Sequence, residues 1–219
     1  SWRPDVERED DLIEDIGRVH GYDLIPEVMT QGSVPQGGAL GNYKKIDILR
    51  QEALRCGFDQ IISHSLRDIH PLDDVCERVG PRNPNSPEMA MLRCSLLPCL
   101  ADAARRNGAK DLHLFEIGRV FCIEGGMKET RHLAMLSTGA LTPTHWVKGE
   151  SPVADFFSLK GALLRVLNSI GVEPDFVPDS EKINDARFHP TRYALVTIGE
   201  KPLGVIGQIH PNVAEQIGL

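Results

Sequence analysis

Residues 112–123 read LHLFEIGRVFCI, a run rich in Phe, Val and Ile that predicts a β-strand. Gly125-Gly126 supplies a reversal directly after this run, and residues 132–137 form a second strand-like run. Residues 192–198 and 203–209, on either side of a polar turn at 199–202, predict another hairpin. Strands that are joined by such short connections pair antiparallel, so the sequence predicts an antiparallel sheet.

Helical patterns separate these strands. The sequence predicts helices over 43–56, 95–107, 157–170 and 211–218, and an additional strand over 58–66. Pro98 near the start of the second helix and Gly108 just past its end show the usual asymmetry of helix termini. Helices of this kind are expected to cover one face of the sheet, which makes residues 43–219 a module of the α+β class.

A linker is predicted over residues 31–42, where five of the twelve residues are glycine or proline. The segment before it, residues 1–30, predicts one helix that begins at Pro4 and Asp5 and ends around Gly21. Its apolar residues recur at helical spacing and form one face: Leu12, Ile13, Ile16 and Val19.

The first thirty residues also carry most of the net charge. They hold nine acidic residues against three basic ones, and so account for six of the seven excess negative charges of the chain. Asp11, Glu14 and Asp15 stand at helical positions i, i+3 and i+4, and Asp5 lies near the helix entry. Three interpretations of this acidic cluster are open: a solvated face, a site for a hard cation, and a surface for a basic partner.

The composition excludes several classes of protein. The 219 residues suit one large domain, with or without a small appendage. No apolar run approaches the roughly 20 residues that a membrane-spanning helix needs, so we expect a cytosolic protein. The five cysteines lack Cys-x-x-Cys spacing, which favours free thiols over disulfides or a zinc site. The overall acidity argues against nucleic acid as the main partner of this chain.

Sequence patterns of catalytic sites are missing. The sequence contains neither a phosphate-binding Gly-rich loop followed by lysine nor a Gly-x-Ser-x-Gly motif. Ser63-His64-Ser65 is not expected to form a nucleophile and base pair, because neighbours on a strand point to opposite faces. Glu116 lies inside an apolar strand, so we expect Arg119, Arg93 or a partner subunit to pair with it.

Six stretches, spread over the whole chain, resemble in the same order the beta-subunit family of bacterial phenylalanine-tRNA ligases. They are SWRPD (1–5) with the acidic helix and GYDLIP (21–26), NPNSPE (83–88) with LRCSLLP (92–98), LFEIGRVF (114–121), DFFSLKG (155–161), HPTR (189–192) and GVIGQIHP (204–211). Each motif is short, and their shared order makes the resemblance specific.

The resemblance implies that residues 1–30 are the end of a winged-helix-like domain. Residues 43–219 would then be a class II aminoacyl-tRNA synthetase-like module, an antiparallel sheet flanked by helices. In this family the beta copy of the module is not catalytic and packs against the alpha subunit, which binds ATP and phenylalanine, in a heterotetramer of two alpha and two beta subunits. The sequence agrees, since it lacks the Gly-x-Gly-x-x-Arg pattern of a working class II site.

The resemblance also implies a magnesium site that is shared with the alpha subunit and has ligands at Asp5, Asp11, Glu14 and Asp15. Asp15 stands where glutamate is commoner and reaches one methylene less, so it is the weakest candidate for direct ligation. The family's other domains, which bind most of the tRNA, are absent, so the chain is expected to be a fragment of the subunit. Two alternatives are a free-standing, degenerate synthetase-like binding module and an independent metal enzyme that depends on the acidic residues.

Overall fold

A computed structural model describes residues 2–29, 31–33, 37–38, 40–74, 76–108, 110–143, 146–147, 149, 151–178 and 185–219. The chain divides into two compact units, Ser1–Gly38 and Ala39–Leu219. The division falls within the stretch predicted as a linker, of which residues 34–36 and 39 lie outside the described residues.

The first unit contains helix α1 (Glu9–His20) and a 3-10 turn (Tyr22–Leu24). The predicted helix entry at Pro4 and Asp5 is wrong, because α1 begins four residues after Asp5. Arg8 is extended, and the Asp11 carboxylate accepts hydrogen bonds from the backbone N–H groups of Glu7 and Arg8 at 2.9 and 2.8 Å. These bonds fix the start of the helix. Its end at Gly21 is confirmed, with φ of +93°.

The second unit contains four helices and eight strands among its described residues. In chain order the elements are α2 (Asn42–Arg55), β1 (Asp59–Gln60), β2 (Leu66–Arg67), a 3-10 turn (Pro87–Met89), β3 (Met91–Leu92), α3 (Leu97–Arg106), β4 (Leu112–Ile123), β5 (Met127–Thr138), α4 (Phe156–Asn168), β6 (Asp175–Val177), β7 (Phe188–Ile198), β8 (Lys201–Ile209) and α5 (Pro211–Ile217). The α+β class is confirmed.

The central hairpin pairs β4 with β5 over their whole lengths, from Leu112 opposite Thr138 to Ile123 opposite Met127. β4 has the predicted bounds, whereas β5 begins five residues before the predicted strand. β1 pairs with β4 in parallel. The single strand predicted over 58–66 is wrong: β1 and β2 flank an irregular stretch that contains Ser63, whose side chain bonds to β4.

Helices cover both faces of the central hairpin, so the expectation of a single covered face is wrong. Phe115 packs with Ala53 of α2 and Val166 of α4 on one face. Its neighbour Leu114 packs with Leu100 and Ala104 of α3 on the other. Alternate residues of a strand point to opposite faces, so a strand that is apolar at both positions is buried on both sides.

β6, β7 and β8 form a separate antiparallel sheet, and β2 pairs with β3 in a third. The predicted hairpin is confirmed, with a turn shortened to Gly199-Glu200 because β8 begins at Lys201. Helix α4 covers this sheet through Leu159, Leu163 and Leu167. Its N-cap is Asp155, whose carboxylate accepts from the Ser158 N–H at 2.7 Å, which accounts for the Asp and Ser of the DFFSLKG motif.

Candidate functional site

Asp5 and Asp15 lie on either side of one cationic group in the first unit. Nη2 of Arg3 is 2.8 Å from an oxygen of Asp5 and 2.9 Å from an oxygen of Asp15. The hydrogen bond from Arg3 holds the pKa of Asp5 below its usual range. The structure therefore brings these two predicted ligands together, around a guanidinium.

Asp11 and Glu14 have other partners. The Asp11 carboxylate caps α1, and its bonds to the N–H groups of Arg8 and Glu7 lower its pKa. Glu14 pairs with Arg18 one turn later on the same helix. Among the residues that the structure describes, no group of three or more His, Cys, Asp or Glu side chains is arranged to hold a metal ion. The four predicted magnesium ligands are thus not gathered at one point in this conformation.

The apolar face of α1 is exposed to solvent. Leu12, Ile13, Ile16 and Val19 retain between 53% and 91% of their surface, and α1 contains no buried residue. An apolar stripe of this kind on a helix is typical of a surface that packs against another element.

In the second unit, Glu116 is buried with Arg93 as its partner. Nη1 of Arg93 lies 2.7 Å from an Oε1 atom of Glu116, and the two side chains are 5% and 3% exposed. Ser63 completes the cluster: its hydroxyl donates to the other oxygen of Glu116 at 2.6 Å and accepts from Arg93 at 2.7 Å. Of the three partners expected for Glu116, the structure identifies Arg93.

Gly118 makes room for this ion pair. A Cβ atom at position 118 would meet Nη2 of Arg93 and would lie 3.1 Å from both Glu116 and Leu96. Arg119 points away from the cluster and pairs on the surface with Glu129 at 2.7 Å. The Glu-Ile-Gly-Arg segment of β4 is therefore a structural motif, with the glycine required by the close approach of Arg93. Sequence reasoning missed Ser63, which lies 53 positions before Glu116 and carries no local signal of this contact.

Two histidines that precede proline, His189 and His210, have structural roles. Nδ1 of His210 accepts from the Asn212 N–H at 3.2 Å and caps α5, which begins at Pro211. His189 accepts similarly from the Thr191 N–H at 3.3 Å. All five cysteines are free thiols. None of the helices formed by the described residues has the length and apolar character that a membrane crossing requires.

Comparison with known proteins decides the family. Residues 25–219 match the family model described as the phenylalanyl tRNA synthetase beta chain CLM domain. The chain belongs to the phenylalanine-tRNA ligase beta-subunit family. It is 35% identical to the phenylalanine--tRNA ligase beta subunit of Symbiobacterium thermophilum over 98% of its length, and 32% identical to that of Bacillus cereus over 98%. It spans only 25% and 28% of these two relatives.

The fold of this chain also resembles that of a solved aminoacyl-tRNA synthetase. A pyrrolysyl-tRNA synthetase from Desulfitobacterium hafniense superimposes with a TM-score of 0.58 over 80% of this chain and 61% of that one, at 17% sequence identity. At this identity the likeness concerns the fold alone. The predicted class II synthetase-like architecture of this beta-subunit family member is thereby confirmed.

Proposed function

We propose that this chain is a non-catalytic, structural and subunit-interface segment of phenylalanine-tRNA ligase, the enzyme that attaches phenylalanine to its tRNA with ATP. The observation that carries the proposal is the similarity to beta subunits over nearly the whole chain. We propose further that the segment works in the cytoplasm, in a heterotetramer of two alpha and two beta subunits. ATP is bound by alpha, and tRNA mainly by domains outside this chain.

Two features of the second unit support a role without chemistry. Arg93 is neutralised inside the protein by Glu116 and also donates to the Ser63 hydroxyl, so its guanidinium is not available to a nucleotide phosphate. Both faces of the central hairpin are filled by apolar side chains of helices, at Phe115 and at Leu114. A substrate pocket needs an open concave surface with polar groups free to meet the substrate, whereas here the two faces are filled and the converging polar groups, Arg93, Ser63 and Glu116, bond to one another.

The proposal includes a Mg²⁺ site that is shared with the alpha subunit, and the acidic residues of the first unit support it. Mg²⁺ prefers hard oxygen ligands and uses one or two carboxylates together with water. Asp5 and Asp15 already converge on the cationic group of Arg3, so these two would bind the ion directly if Arg3 withdrew, in contrast to the expectation from the sequence that Asp15, with its shorter side chain, is the weakest direct ligand. Asp11 and Glu14 would act through water. The ion would supply positive charge that offsets the repulsion among these acids.

Association with an alpha subunit tests the principal proposal. The beta chain that carries this segment is co-expressed with a tagged alpha subunit, and the complex is isolated on the tag. We expect stoichiometric recovery of beta. A beta chain that is folded by circular dichroism yet never recovered with alpha would contradict the proposal and would favour a free-standing binding module.

The binding of Mg²⁺ is tested separately, by calorimetric titration of the isolated alpha–beta complex with Mg²⁺. The D5N variant should lose Mg²⁺ binding, and R3Q should bind the ion more tightly, since the competing guanidinium is removed. D23N is a matched control, because it removes an acid of the same segment outside the predicted set. Equal Mg²⁺ affinity in wild type and D5N would contradict the assignment of the ligands.

A further inference from the structure

Strand β5 has one edge without a neighbouring strand. The order of the central sheet is β1-β4-β5, and β4 pairs with β5 along its whole length on the inner side. Among the residues that the structure describes, no strand pairs with the outer side of β5. The backbone N–H and C=O groups along such an edge can pair with a further strand. Residues 127–132 are exposed except for half-buried Thr130, so a partner strand can reach this part of the edge.

The exposed part of this edge also carries a charge without a counter-ion. Arg119 of β4 lies directly opposite Arg131 of β5, and like charges in this position repel each other. Arg119 is compensated by Glu129, at a distance of 2.7 Å. Arg131 is exposed and makes no ion pair with any residue in the described part of the chain. A strand that pairs with this edge would therefore be stabilised by presenting a carboxylate to Arg131.

We propose that two copies of this chain pair along their β5 edges, antiparallel and related by a two-fold axis at Thr130. The axis is perpendicular to the sheet, so each face of one hairpin continues into the same face of the other. Glu129 of each copy then lies opposite Arg131 of the second copy, and Met127 lies opposite Leu133. These residues share one face of β5, because alternate residues of a strand point to the same side. The second copy thus supplies the carboxylate that Arg131 lacks.

The charges select this register over its neighbours. With the axis at Arg131 or at Glu129, two copies of the same charged residue would face each other across the interface. The axis at Thr130 is the arrangement that places Glu129 opposite Arg131. On the other face of the strand, Lys128 would lie opposite His132. Burial lowers the pKa of His132, so its ring is neutral near pH 7 and does not repel Lys128.

The paired segment is short, since it covers residues 127–133. A ladder of this length buries less than the roughly 1,200 Å² that stable interfaces cover, so we expect a reversible dimer. The test is sedimentation equilibrium of the intact chain over a wide range of concentrations. The average mass should rise from that of one chain toward that of two as the concentration increases. A chain that stays monomeric at every concentration would overturn the proposal.

Charge reversals test which residues face each other, after each variant is shown to be folded by circular dichroism. E129R and R131E should each weaken the association by about tenfold or more, because each replaces two attractive contacts by two repulsive ones. The double variant E129R/R131E restores opposite charges across the axis and should associate like wild type. A double variant that associates no better than the single ones would contradict the proposed register.

Lys201 provides a matched control. It lies at the exposed start of β8, an edge strand of the other antiparallel sheet, and K201E changes the net charge by the same amount as R131E. K201E should associate like wild type, and equal weakening by K201E and R131E would overturn the proposal. So would a monomeric chain whose R131E variant is no longer recovered with a tagged alpha subunit, since alpha would then be the occupant of the edge. Sedimentation of this chain requires no alpha subunit, so its outcome is independent of the proposed function.

Discussion

Replacement of Glu116 by glutamine tests whether the buried ion pair stabilises the second unit. The change keeps the size of the side chain and removes its charge, which leaves the Arg93 guanidinium buried without a counter-ion. Removing one partner of a buried pair costs about 3–5 kcal/mol. For a protein of this size, where 1 kcal/mol shifts the melting temperature by roughly 2–4 °C, E116Q should melt roughly 6–20 °C lower than wild type.

Glu129 provides a matched control. It pairs with Arg119 at the same distance of 2.7 Å, but the side chains are 41% and 55% exposed. Exposed pairs contribute about 0–1 kcal/mol, so E129Q should unfold at nearly the wild-type urea concentration. The assays are thermal and urea unfolding of each variant, both followed by circular dichroism.

A double substitution separates loss of the charge pair from simple damage to packing. Replacing both partners by apolar residues, as in R93M/E116L, leaves no buried charge, and such replacements are often neutral. We expect the double variant to be more stable than E116Q. The reasoning is refuted if E116Q and E129Q are equally stable, because burial of the pair would then have no energetic consequence.

Three other predictions concern the same unit. G118A should destabilise the protein by about 1–3 kcal/mol, because the added methyl displaces Arg93 from the ion pair, and urea unfolding measures the loss. Burial, together with the positive charges of Arg67 and Arg105, lowers the pKa of His70 against the opposing effect of Asp102 and Asp73, and its Nδ1 accepts from the Leu72 N–H at 3.1 Å. The neutral form is therefore favoured in the folded state, so stability should fall as the pH drops through about 6.5, and H70Q should weaken this dependence. D155A should cost about 1 kcal/mol by removing the N-cap of α4, with D175A, on β6, as an exposed control.

The sequence allowed the elements with strong local signals to be predicted. β4 has its predicted bounds because apolar residues occur on both of its faces along its length and a Gly-Gly turn follows. β5 begins earlier than predicted because its first residues, 127–131, are mostly polar and become a strand only by pairing with residues 119–123 of β4. The parallel pairing of β1 depends on chain segments more than fifty residues apart and left no local pattern.

The candidate sites were predictable to different degrees. A buried carboxylate needs a counter-ion, so a partner for Glu116 could be expected, but choosing Arg93 over Arg119 required the three-dimensional approach across Gly118. The acidic spacing on α1 identified a group of carboxylates. It did not reveal that Arg3 would bind two of them, Asp5 and Asp15.

The most direct test of the proposed function is phenylalanine-dependent exchange of pyrophosphate into ATP. The beta chain that carries this segment is assayed alone, next to the alpha subunit alone and to the two together, with each protein shown to be folded. We predict exchange in the complex and none with beta alone. Clear exchange by the beta chain in the absence of alpha would contradict a segment that contributes structure and an interface but no chemical step.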